Sequence, residues 1–498
     1  MSKKLVYILI LFSLIAIGAL LRFYNLEEWL RFANDELRDL SVLGEMLETG
    51  NFIVLGPEAG IGHFHFGPIF FYLLLPAAYL GGVAPLPFAI TAVLFSLGTI
   101  PLLFYLGKKL YSPLFGLFAA GLFAVSYLPV IFGRWSWNPH YLPFFVTLFL
   151  LGIVSVSAKN SLVRNLVWAG LAGIGFGVAI QLHFLALLMG ILLVFFFVAQ
   201  RFYRRRFWLP IVMFIAVVAL LFLPALIYDL QNNWQNTKEL TEFLGHSPRN
   251  EFHDDFPEQL SGQWNWFSLF TYYNILGKVF GENLIWQTIC TIVVLASAGF
   301  ALVWGIVRRR WRSPWWGIAL FIVIVFVFSL SAETEMHVRY LEYVLPFVLL
   351  WIVYLGFRLA HLGKIWKYLA IVLAVVILAA HLMTLWMYYE NLRDYRYDMP
   401  YVEIPYGSMG AIVDFVVDDA GEKTFRLDAD EVMGYKSAFQ WIVEQKGFAS
   451  GVTNPEIVYR VVRLDEREEY KDPGWGMDAE ELPFRNVIIR KYQVPNSK

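Results

Sequence analysis

Residues 22–52 read RFYNLEEWLRFANDELRDLSVLGEMLETGNF, a polar stretch that directly follows an apolar run at residues 5–22. Three carboxylates, Asp35, Glu36 and Asp39, lie close together in the middle of this stretch. An apolar run of about 18 residues is long enough to cross a bilayer, so these acids follow closely on a membrane-spanning helix. The sequence therefore places a cluster of negative charge at the edge of a lipid boundary.

The stretch carries the signals of a helix of its own. Asn34 is a good N-cap, Asp35 and Glu36 fall in the first turn, where the helix dipole favours negative charge, and Gly50 ends the pattern. An apolar stripe is formed by Leu37, Leu40 and Leu47. An interfacial amphipathic helix accounts for all of these features. The alternative is a functional site, because partial burial raises the basicity of a carboxylate.

Composition places the whole chain in a membrane. Of 498 residues, 58% are hydrophobic and only 16% are charged, whereas the surface of a soluble globular protein needs roughly 25% charge. We therefore expect a polytopic α-helical membrane protein. The single cysteine, Cys290, excludes an intramolecular disulfide.

Apolar runs long enough to span a bilayer occur at residues 5–22, 66–82, 86–107, 113–133, 139–157, 163–181, 183–200, 208–228, 284–306, 314–331, 339–358 and 366–388. If all twelve crossed, the basic clusters of the later loops would lie outside, against the positive-inside rule. The run 66–82 is short and contains Pro68 and Pro76. We predict that it is a juxtamembrane or re-entrant helix, which leaves about eleven spans.

The first run begins with Lys3 and Lys4 and lacks a small-residue cleavage site, so we expect it to be a retained helix and not a signal peptide. The predicted transmembrane domain covers residues 1–390, with outer loops at 23–85 and 229–283. The second loop includes GQWNWFSLFTYYN, whose aromatic residues suit either stacking on sugars or a helix at the membrane interface.

The C-terminal part of the chain is different in character. From Glu390 onward the sequence carries 21 acidic and 14 basic residues. Helical spacing in SMGAIVDFVVDDAG and DADEVMGYKSAFQWIVEQKG, and β-branched runs in KTFRLD, EIVYRVVRL and FRNVIIRKYQ, predict a small α/β domain at 395–498. We expect this domain to be extracytoplasmic. The sequence has no phosphate-binding glycine loop, metal-spaced cysteines or basic stripe, so no nucleic-acid partner is expected.

The order of a first helix, the acidic stretch and then GHFHFGPIFFYLLLPAAYLGG resembles the first outer loop of the GT-C glycosyltransferases, which use lipid-linked sugars. Protein O-mannosyltransferases and lipid A aminoarabinose transferases belong to this superfamily. The resemblance implies that Asp35 is the catalytic base and that Glu36 lies in the substrate site. It also aligns His65 with a family element that is degenerate here, reading HFGPI.

Other polar residues fall on the expected outer side. Arg134 and Asn138 lie in GRWSWNPHYLPFF, where the family often has an Arg and a later Asp, and we expect both to bind substrate. Arg134 and its neighbouring tryptophans are equally typical of an interfacial belt. His183 in AIQLHFLALL is a further candidate, although a lone histidine at such a turn is more often a hydrogen-bonded core residue.

The stretch SAETEMHVRYLEYVLPF adds Glu335, Arg339 and Tyr340 as candidate substrate-binding residues. A forked, permanently charged Arg suits a phosphate group, and the family has a similar Arg-Tyr pair near this helix. The alternative is a structural ion pair between Arg339 and Glu335, four residues apart at a helix end.

The resemblance implies transfer of a sugar from a polyprenyl-phosphate donor to a hydroxyl of a glycan, lipid or protein, with inversion, on the outer side of the plasma or inner membrane. This scheme requires no cofactor, and a divalent cation held by the acids stays open. Two other classes also stay open. One is a transporter or flippase of lipid-linked sugars, although no internal repeat is seen, and the other is a non-catalytic assembly partner.

Overall fold

The structure is a computed structural model. It describes residues 2–60, 62–199, 208–245, 256–331, 337–394, 404–429, 435–450, 452–453, 455–463, 479–485 and 487–494. The chain forms two compact units. Unit 1 comprises Met1–Phe23, Asn51–Pro76 and Ile90–Thr384, and unit 2 comprises Tyr24–Gly50, Ala77–Ala89 and Leu385–Lys498.

Helices dominate the described chain. The α-helices are α1 (Lys3–Phe23), α2 (Asn34–Thr49), α3 (Ile69–Gly81), α4 (Pro85–Leu110), α5 (Pro113–Val125), α6 (Tyr127–Phe132), α7 (Leu142–Ser155), α8 (Leu162–Leu182), α9 (Gly190–Ala199), α10 (Trp208–Gln231), α11 (Gln235–Gly245), α12 (Phe256–Leu276), α13 (Leu284–Val307), α14 (Pro314–Ser331), α15 (Leu345–Ala360), α16 (Lys364–Arg393), α17 (Tyr406–Ala420) and α18 (Tyr435–Gln445). Three 3₁₀ segments lie just before α7, α9 and α15, at Asn138–Tyr141, Phe184–Met189 and Val338–Tyr343.

The polytopic helical fold expected from composition is confirmed. Within the described residues, seven helices are long and apolar enough to cross a membrane, by length and composition only, and five shorter apolar helices accompany them. Together these helices coincide with the twelve apolar runs of the sequence. The helix α3 has 13 residues and is therefore about 20 Å long, shorter than the roughly 30 Å hydrocarbon core. That this segment does not cross stays a prediction, because α5, in a run that we expect to cross, also has 13 residues.

A buried arginine provides hydrogen bonds to the carbonyl groups at a helix break in unit 1. Helix α5 ends at Val125 and α6 starts two residues later, which frees backbone carbonyl groups. Arg22 is fully buried and donates to the carbonyl oxygens of Phe123, Ala124 and Pro129 at 3.3, 2.9 and 3.1 Å. Because lipid offers no hydrogen bonds, such internal partners are needed at membrane depth. The broken helix leads directly into the turn before α7.

The aromatic run GQWNWFSLFTYYN, for which we expected either stacking on sugars or a helix at the membrane interface, is helical and partly buried. It lies in α12, which packs against α13, α14 and α15 in unit 1. The fully buried aromatic side chains of this run are Phe267, Phe270, Tyr272 and Tyr273. On the same helix, the Thr271 hydroxyl lies 2.5 Å from that of Thr291 on α13.

Unit 2 contains the predicted α/β fold of the tail. Its sheet has the order β1-β2-β4-β3, formed by β1 (Phe425–Ala429), β2 (Ile457–Arg463), β3 (Glu480–Phe484) and β4 (Val487–Gln493). Strands β1 and β2 are parallel, and the other two pairs are antiparallel. The edge strand β3 was not expected, because EELPF is short, charged and contains Pro483.

The N-terminal part of unit 2 is built onto the tail. The ring of Phe32 contacts Tyr406 and Trp441, with ring centres 5.5 and 5.2 Å apart, and the amide of Tyr406 donates to the carbonyl of Leu30 at 3.0 Å. The acidic helix α2 also contacts α18. The segment between the first span and residue 50 therefore folds with the C-terminal domain.

Candidate active site

The N-cap of the acidic helix α2 lies one residue before the position that we expected, Asn34. Ala33 has the extended backbone of an N-cap residue, and Asn34 is the first helical residue. The carboxylate of Glu36 accepts a hydrogen bond from the Ala33 amide at 2.9 Å. This bond is one half of a capping box, so Glu36 stabilises the helix start. Gly50 ends the helix in the left-handed region, at φ 71°, as expected.

Arg38 links two carboxylates of α2. Its guanidinium lies 3.0 Å from Asp35 and 2.8 Å from Asp39, positions three residues before and one residue after it. The Asp35 side chain is 47% exposed, whereas that of Asp39 is 1% exposed. The predicted base is therefore the accessible member of this cluster, and its charge is paired with a neighbouring cation.

Asp39 is the carboxyl group with the most perturbed surroundings on α2. Burial raises its pKa to about 7, against the lowering effect of Arg38. Its Oδ2 atom is buried and has no hydrogen-bond partner among the described residues. We had not assigned Asp39 to the site. The signal was present in the sequence, because Asp39 lies on the same helix face as Leu43 and Met46, which are buried.

In unit 1 the 3₁₀ segments come together. The segment Val338–Tyr343 contacts both Asn138–Tyr141 and Phe184–Met189. Four predicted site residues, Asn138, His183, Arg339 and Tyr340, lie in these segments or directly beside them. The structure thus assembles residues that are about 200 positions apart in the chain.

Two of the predicted binding residues cap helix ends. Asn138 donates from Nδ2 to the carbonyl of Leu182, the last residue of α8, at 2.6 Å. Arg134 donates from Nη1 to the carbonyl of Arg22, near the end of α1, at 2.9 Å. Both side chains are buried. Their observed contacts are structural, because they satisfy carbonyl groups that a helix leaves unpaired.

His183 presents a neutral ring. Its Nδ1 atom accepts from the Leu185 amide at 3.4 Å, so the ring hydrogen belongs on Nε2. Burial lowers the pKa of the imidazole to about 4, which keeps it neutral at physiological pH. The ring centre lies 5.3 Å from that of Tyr340 and 5.9 Å from that of Phe66. His183 therefore offers one N–H donor within an aromatic wall.

Arg339 is held by aromatic faces. Its guanidinium carbon lies 5.0 Å from the ring centre of Trp137 and 5.4 Å from that of Tyr340. No carboxylate of the described residues pairs with it, and its Nε atom is buried without a hydrogen-bond partner in this part of the chain. The expected alternative partner, Glu335, lies outside the described residues. Arg339 thus carries a fixed positive charge with polar capacity to spare.

A buried His140–Glu342 pair was missed by the sequence analysis. His140 Nε2 lies 3.2 Å from Glu342 Oε1, and the two side chains are 0% and 3% exposed. The signal was weak, because 202 positions separate the two residues and each resembles an ordinary turn residue.

His65 lies in a small hairpin within the segment Asn51–Pro76 of unit 1. An isolated bridge joins Glu58 to His65, and the Gly56 amide donates to the Phe66 carbonyl at 2.8 Å. Asn236 grips the backbone of His65, accepting from its amide at 2.6 Å and donating to its carbonyl at 3.1 Å. The hairpin fixes the backbone of His65 within unit 1.

The described residues contain no group of three or more histidine, cysteine or acidic side chains placed to hold a metal ion. The divalent cation that the sequence left open would be held in part by Glu333 or Glu335. Both residues lie outside the described part of the chain.

Comparisons with known proteins identify the fold. No family model matches the chain, and no curated protein sequence matches it. The structure of ArnT from Cupriavidus metallidurans bound to undecaprenyl phosphate superposes with a TM-score of 0.57 at 13% identity, covering 96% of this chain and 97% of that one.

A second similar structure is the archaeal oligosaccharyltransferase AglB from Archaeoglobus fulgidus, in complex with an inhibitory peptide and a dolichol-phosphate. It superposes with a TM-score of 0.52 at 13% identity over 93% of this chain and 70% of that one. A complex of the same archaeal enzyme with Zn and sulfate gives a TM-score of 0.50 at 12% identity over 92% of this chain and 68% of that one. The resemblance read from the acidic stretch is thereby confirmed at the level of the fold, which this chain shares with ArnT and with the archaeal oligosaccharyltransferase.

Proposed function

We propose that this protein is a membrane glycosyltransferase that transfers a sugar from a polyprenyl-phosphate donor to a hydroxyl group of a glycan, lipid or protein. The fold supports this class, since similar structures hold undecaprenyl phosphate and dolichol-phosphate. The observation that carries the proposal is Arg339, a cation held over Trp137 and Tyr340 with no carboxylate partner among the described residues. A lipid phosphate would supply the missing anion.

The site in unit 1 suits a phosphate on chemical grounds. A guanidinium keeps its charge at every physiological pH and can donate two parallel hydrogen bonds to a phosphate. His183 adds a neutral N–H donor, and Tyr340, whose ring lies beside it, adds a hydroxyl. During transfer, negative charge grows on the leaving lipid phosphate. Arg339 stabilises that charge, which is often the largest single contribution to catalysis.

The catalytic base is proposed to be Asp35. A half-exposed carboxylate on α2 is accessible to a substrate hydroxyl, and its contact with Arg38 at 3.0 Å fixes the position of the side chain. One base and a single displacement predict inversion at the anomeric carbon. Sugar transfer would then require no cofactor.

The other substrate-binding assignments differ in support. Glu36, Arg134 and Asn138 are each hydrogen-bonded to backbone groups, so we propose that they act on substrate only through the shape of the site. His65 and Glu335 are proposed to contact the donor or acceptor directly. The protein is a multi-pass membrane protein, and we propose that its active site and C-terminal domain face the extracytoplasmic side of the plasma or inner membrane.

The proposal is tested by the affinity of the purified protein for undecaprenyl phosphate in detergent micelles. Arg339→Gln should weaken binding by at least about tenfold, because a charge-assisted hydrogen bond contributes roughly 1.5–3 kcal/mol. Arg339→Lys keeps the charge but loses the fork, so its affinity should fall between those of the wild type and Arg339→Gln.

Arg308→Gln is the matched control, because Arg308 also lies over a tryptophan, Trp304, at 4.5 Å but is exposed. This variant should bind like the wild type. Equal affinity of the wild type and Arg339→Gln for the lipid phosphate would contradict the proposal.

A further inference from the structure

The His140–Glu342 pair joins two of the three 3₁₀ segments of unit 1. His140 belongs to the segment before α7, and Glu342 belongs to the segment before α15. Their side-chain atoms lie 3.2 Å apart in a region closed to solvent. An ion pair or a hydrogen bond in such a place is costly to leave unsatisfied, so the pair fixes the two segments against each other.

The hydrogen on His140 can be assigned from its other contact. Nδ1 lies 3.0 Å from the carbonyl oxygen of Trp135, which can only accept, so Nδ1 carries the hydrogen. In the neutral ring Nε2 is therefore the acceptor. A protonated Glu342 is the form that can face Nε2 without setting two acceptor atoms against each other.

The ring of His140 also supports the aromatic stack that carries Arg339. It lies against Trp135, with ring centres 4.3 Å apart, and against Trp137 at 5.4 Å. The two tryptophans are stacked on each other at 5.3 Å with an 11° angle between their planes. Trp137 in turn carries the guanidinium of Arg339. A continuous set of contacts thus runs from Glu342 to the arginine.

Glu342 is close to Arg339 in sequence but is not its partner. Residues three apart in a 3₁₀ helix lie on the same side, so an ionised Glu342 would be well placed to neutralise Arg339. Within the described residues the carboxyl group contacts His140 instead. Placed against His140, Glu342 holds the segment in position without competing with an anionic ligand for the guanidinium.

We propose that Glu342 is a positioning residue for Arg339, its buried carboxyl group lying against His140 and, through the Trp135–Trp137 stack, fixing the guanidinium for a phosphate ligand. This inference rests on the proposed function, because it takes the lipid phosphate to be the ligand. It assigns a role to two residues that no part of the proposed chemistry uses.

The test compares undecaprenyl phosphate affinity, measured in detergent micelles, for Glu342→Gln and Glu342→Leu. Gln keeps the size and an N–H donor for His140 Nε2, so it should bind within about twofold of the wild type, whereas Leu should bind about tenfold more weakly. A His140→Phe/Glu342→Leu double variant should bind no more weakly than Glu342→Leu alone, since residues of one contact network are not additive.

Gln287→Leu is the control for a general loss of stability, because Gln287 is a buried polar residue that accepts from Ser268 on a different helix pair. It should lower the unfolding midpoint without changing the affinity. Equal weakening by Glu342→Gln and Glu342→Leu would overturn the inference, because it would show that the carboxyl charge is needed. Wild-type affinity in Glu342→Leu would overturn it as well.

Failure of the proposed function gives a different result. If the wild type does not bind undecaprenyl phosphate, the proposed ligand is wrong, and the inference fails with it. If the wild type binds and Arg339→Gln does not, while Glu342→Leu binds normally, the proposed function stands and only the positioning role is refuted.

Discussion

The guanidinium carbon of Arg339 lies 5.0 Å from the ring centre of Trp137. This contact joins the turn before α7 to the segment before α15. It also holds the guanidinium in place by an aromatic face. A carboxylate in that position would compete with an anionic ligand for the guanidinium.

Trp137→Leu should therefore weaken the binding of a polyprenyl phosphate although it removes no charge. We expect a loss of about threefold to tenfold, since a partly buried cation–π contact contributes roughly 1–2 kcal/mol. Trp137→Phe keeps a ring and should lose less. The affinity for undecaprenyl phosphate in micelles measures both effects.

The matched control is Trp304→Leu, which removes the ring beneath Arg308 at the exposed end of α13. This change should leave the affinity as it is. If Trp137→Leu and Trp304→Leu bind equally well, the Trp137 contact has no part in holding the phosphate ligand.

Asp35→Asn should abolish most turnover while leaving donor binding in place. The substitution keeps size and polarity but removes the base, and loss of a general base typically costs about 10²- to 10⁴-fold in rate. Single-turnover rates and donor affinity, measured on the same preparations, separate the two effects. Glu45→Gln, an exposed change on the same helix, serves as the control and should retain full turnover. A turnover of Asp35→Asn equal to that of the wild type would exclude Asp35 as the base.

Because the Asp39 carboxyl group is buried, we expect the free energy of unfolding to depend on pH. Its pKa in the folded protein, about 7, lies above its ordinary value of 3.8, because burial disfavours the charged carboxylate. The folded state therefore binds this proton more tightly than the unfolded state does. The resulting stabilisation is fully present below about pH 4 and is lost as the pH rises through about 7.

Asp39→Asn mimics the protonated side chain and should remove this dependence. The unfolding midpoint of the variant relative to that of the wild type should rise by about 5 °C between roughly pH 5 and pH 8. Thermal unfolding in detergent measures it, and Glu45→Gln again provides a control with an exposed carboxylate. A constant difference across this pH range would contradict the burial argument.

The hairpin that carries His65 has a strict requirement for glycine. A Cβ atom at Gly56 would collide with the backbone carbonyl of Gly67, which cannot move aside without opening the hairpin. Gly56→Ala should lower the unfolding midpoint and weaken donor binding. At Gly60, on the same hairpin, a Cβ meets nothing within 4 Å, so Gly60→Ala is the matched control and should be neutral. Equal midpoints for the two variants would argue against this packing.

Local patterns predicted much of the fold. Apolar runs indicated the helices, because the length and hydropathy of a run can be read from that segment alone. The tail strands were visible as β-branched runs such as that of β2. The placement of α12 was harder to predict. Its aromatic side chains suit a membrane interface equally well, and their burial comes from packing against α13, α14 and α15, which the sequence of α12 alone does not show.

The site was predictable where a residue's chemistry is visible on its own. Arg339 and His183 were chosen for their residue types, and the structure brings both beside Tyr340. The roles of Asp39 and Glu342 depend on burial, which arises from distant parts of the chain. Helical spacing with Leu43 and Met46 marked Asp39, whereas no spacing in the sequence marked Glu342.

The most direct test of the central claim is sugar transfer in proteoliposomes that contain the purified protein, a panel of polyprenyl-phosphate monosaccharides and a hydroxyl-bearing acceptor extract. The account predicts that the wild type consumes one donor and forms a glycosylated product of inverted anomeric configuration, and that Asp35→Asn forms little product under the same conditions. Movement of a donor between the two leaflets by the wild type, with no sugar transferred from any donor in the panel, would contradict it and indicate a transporter.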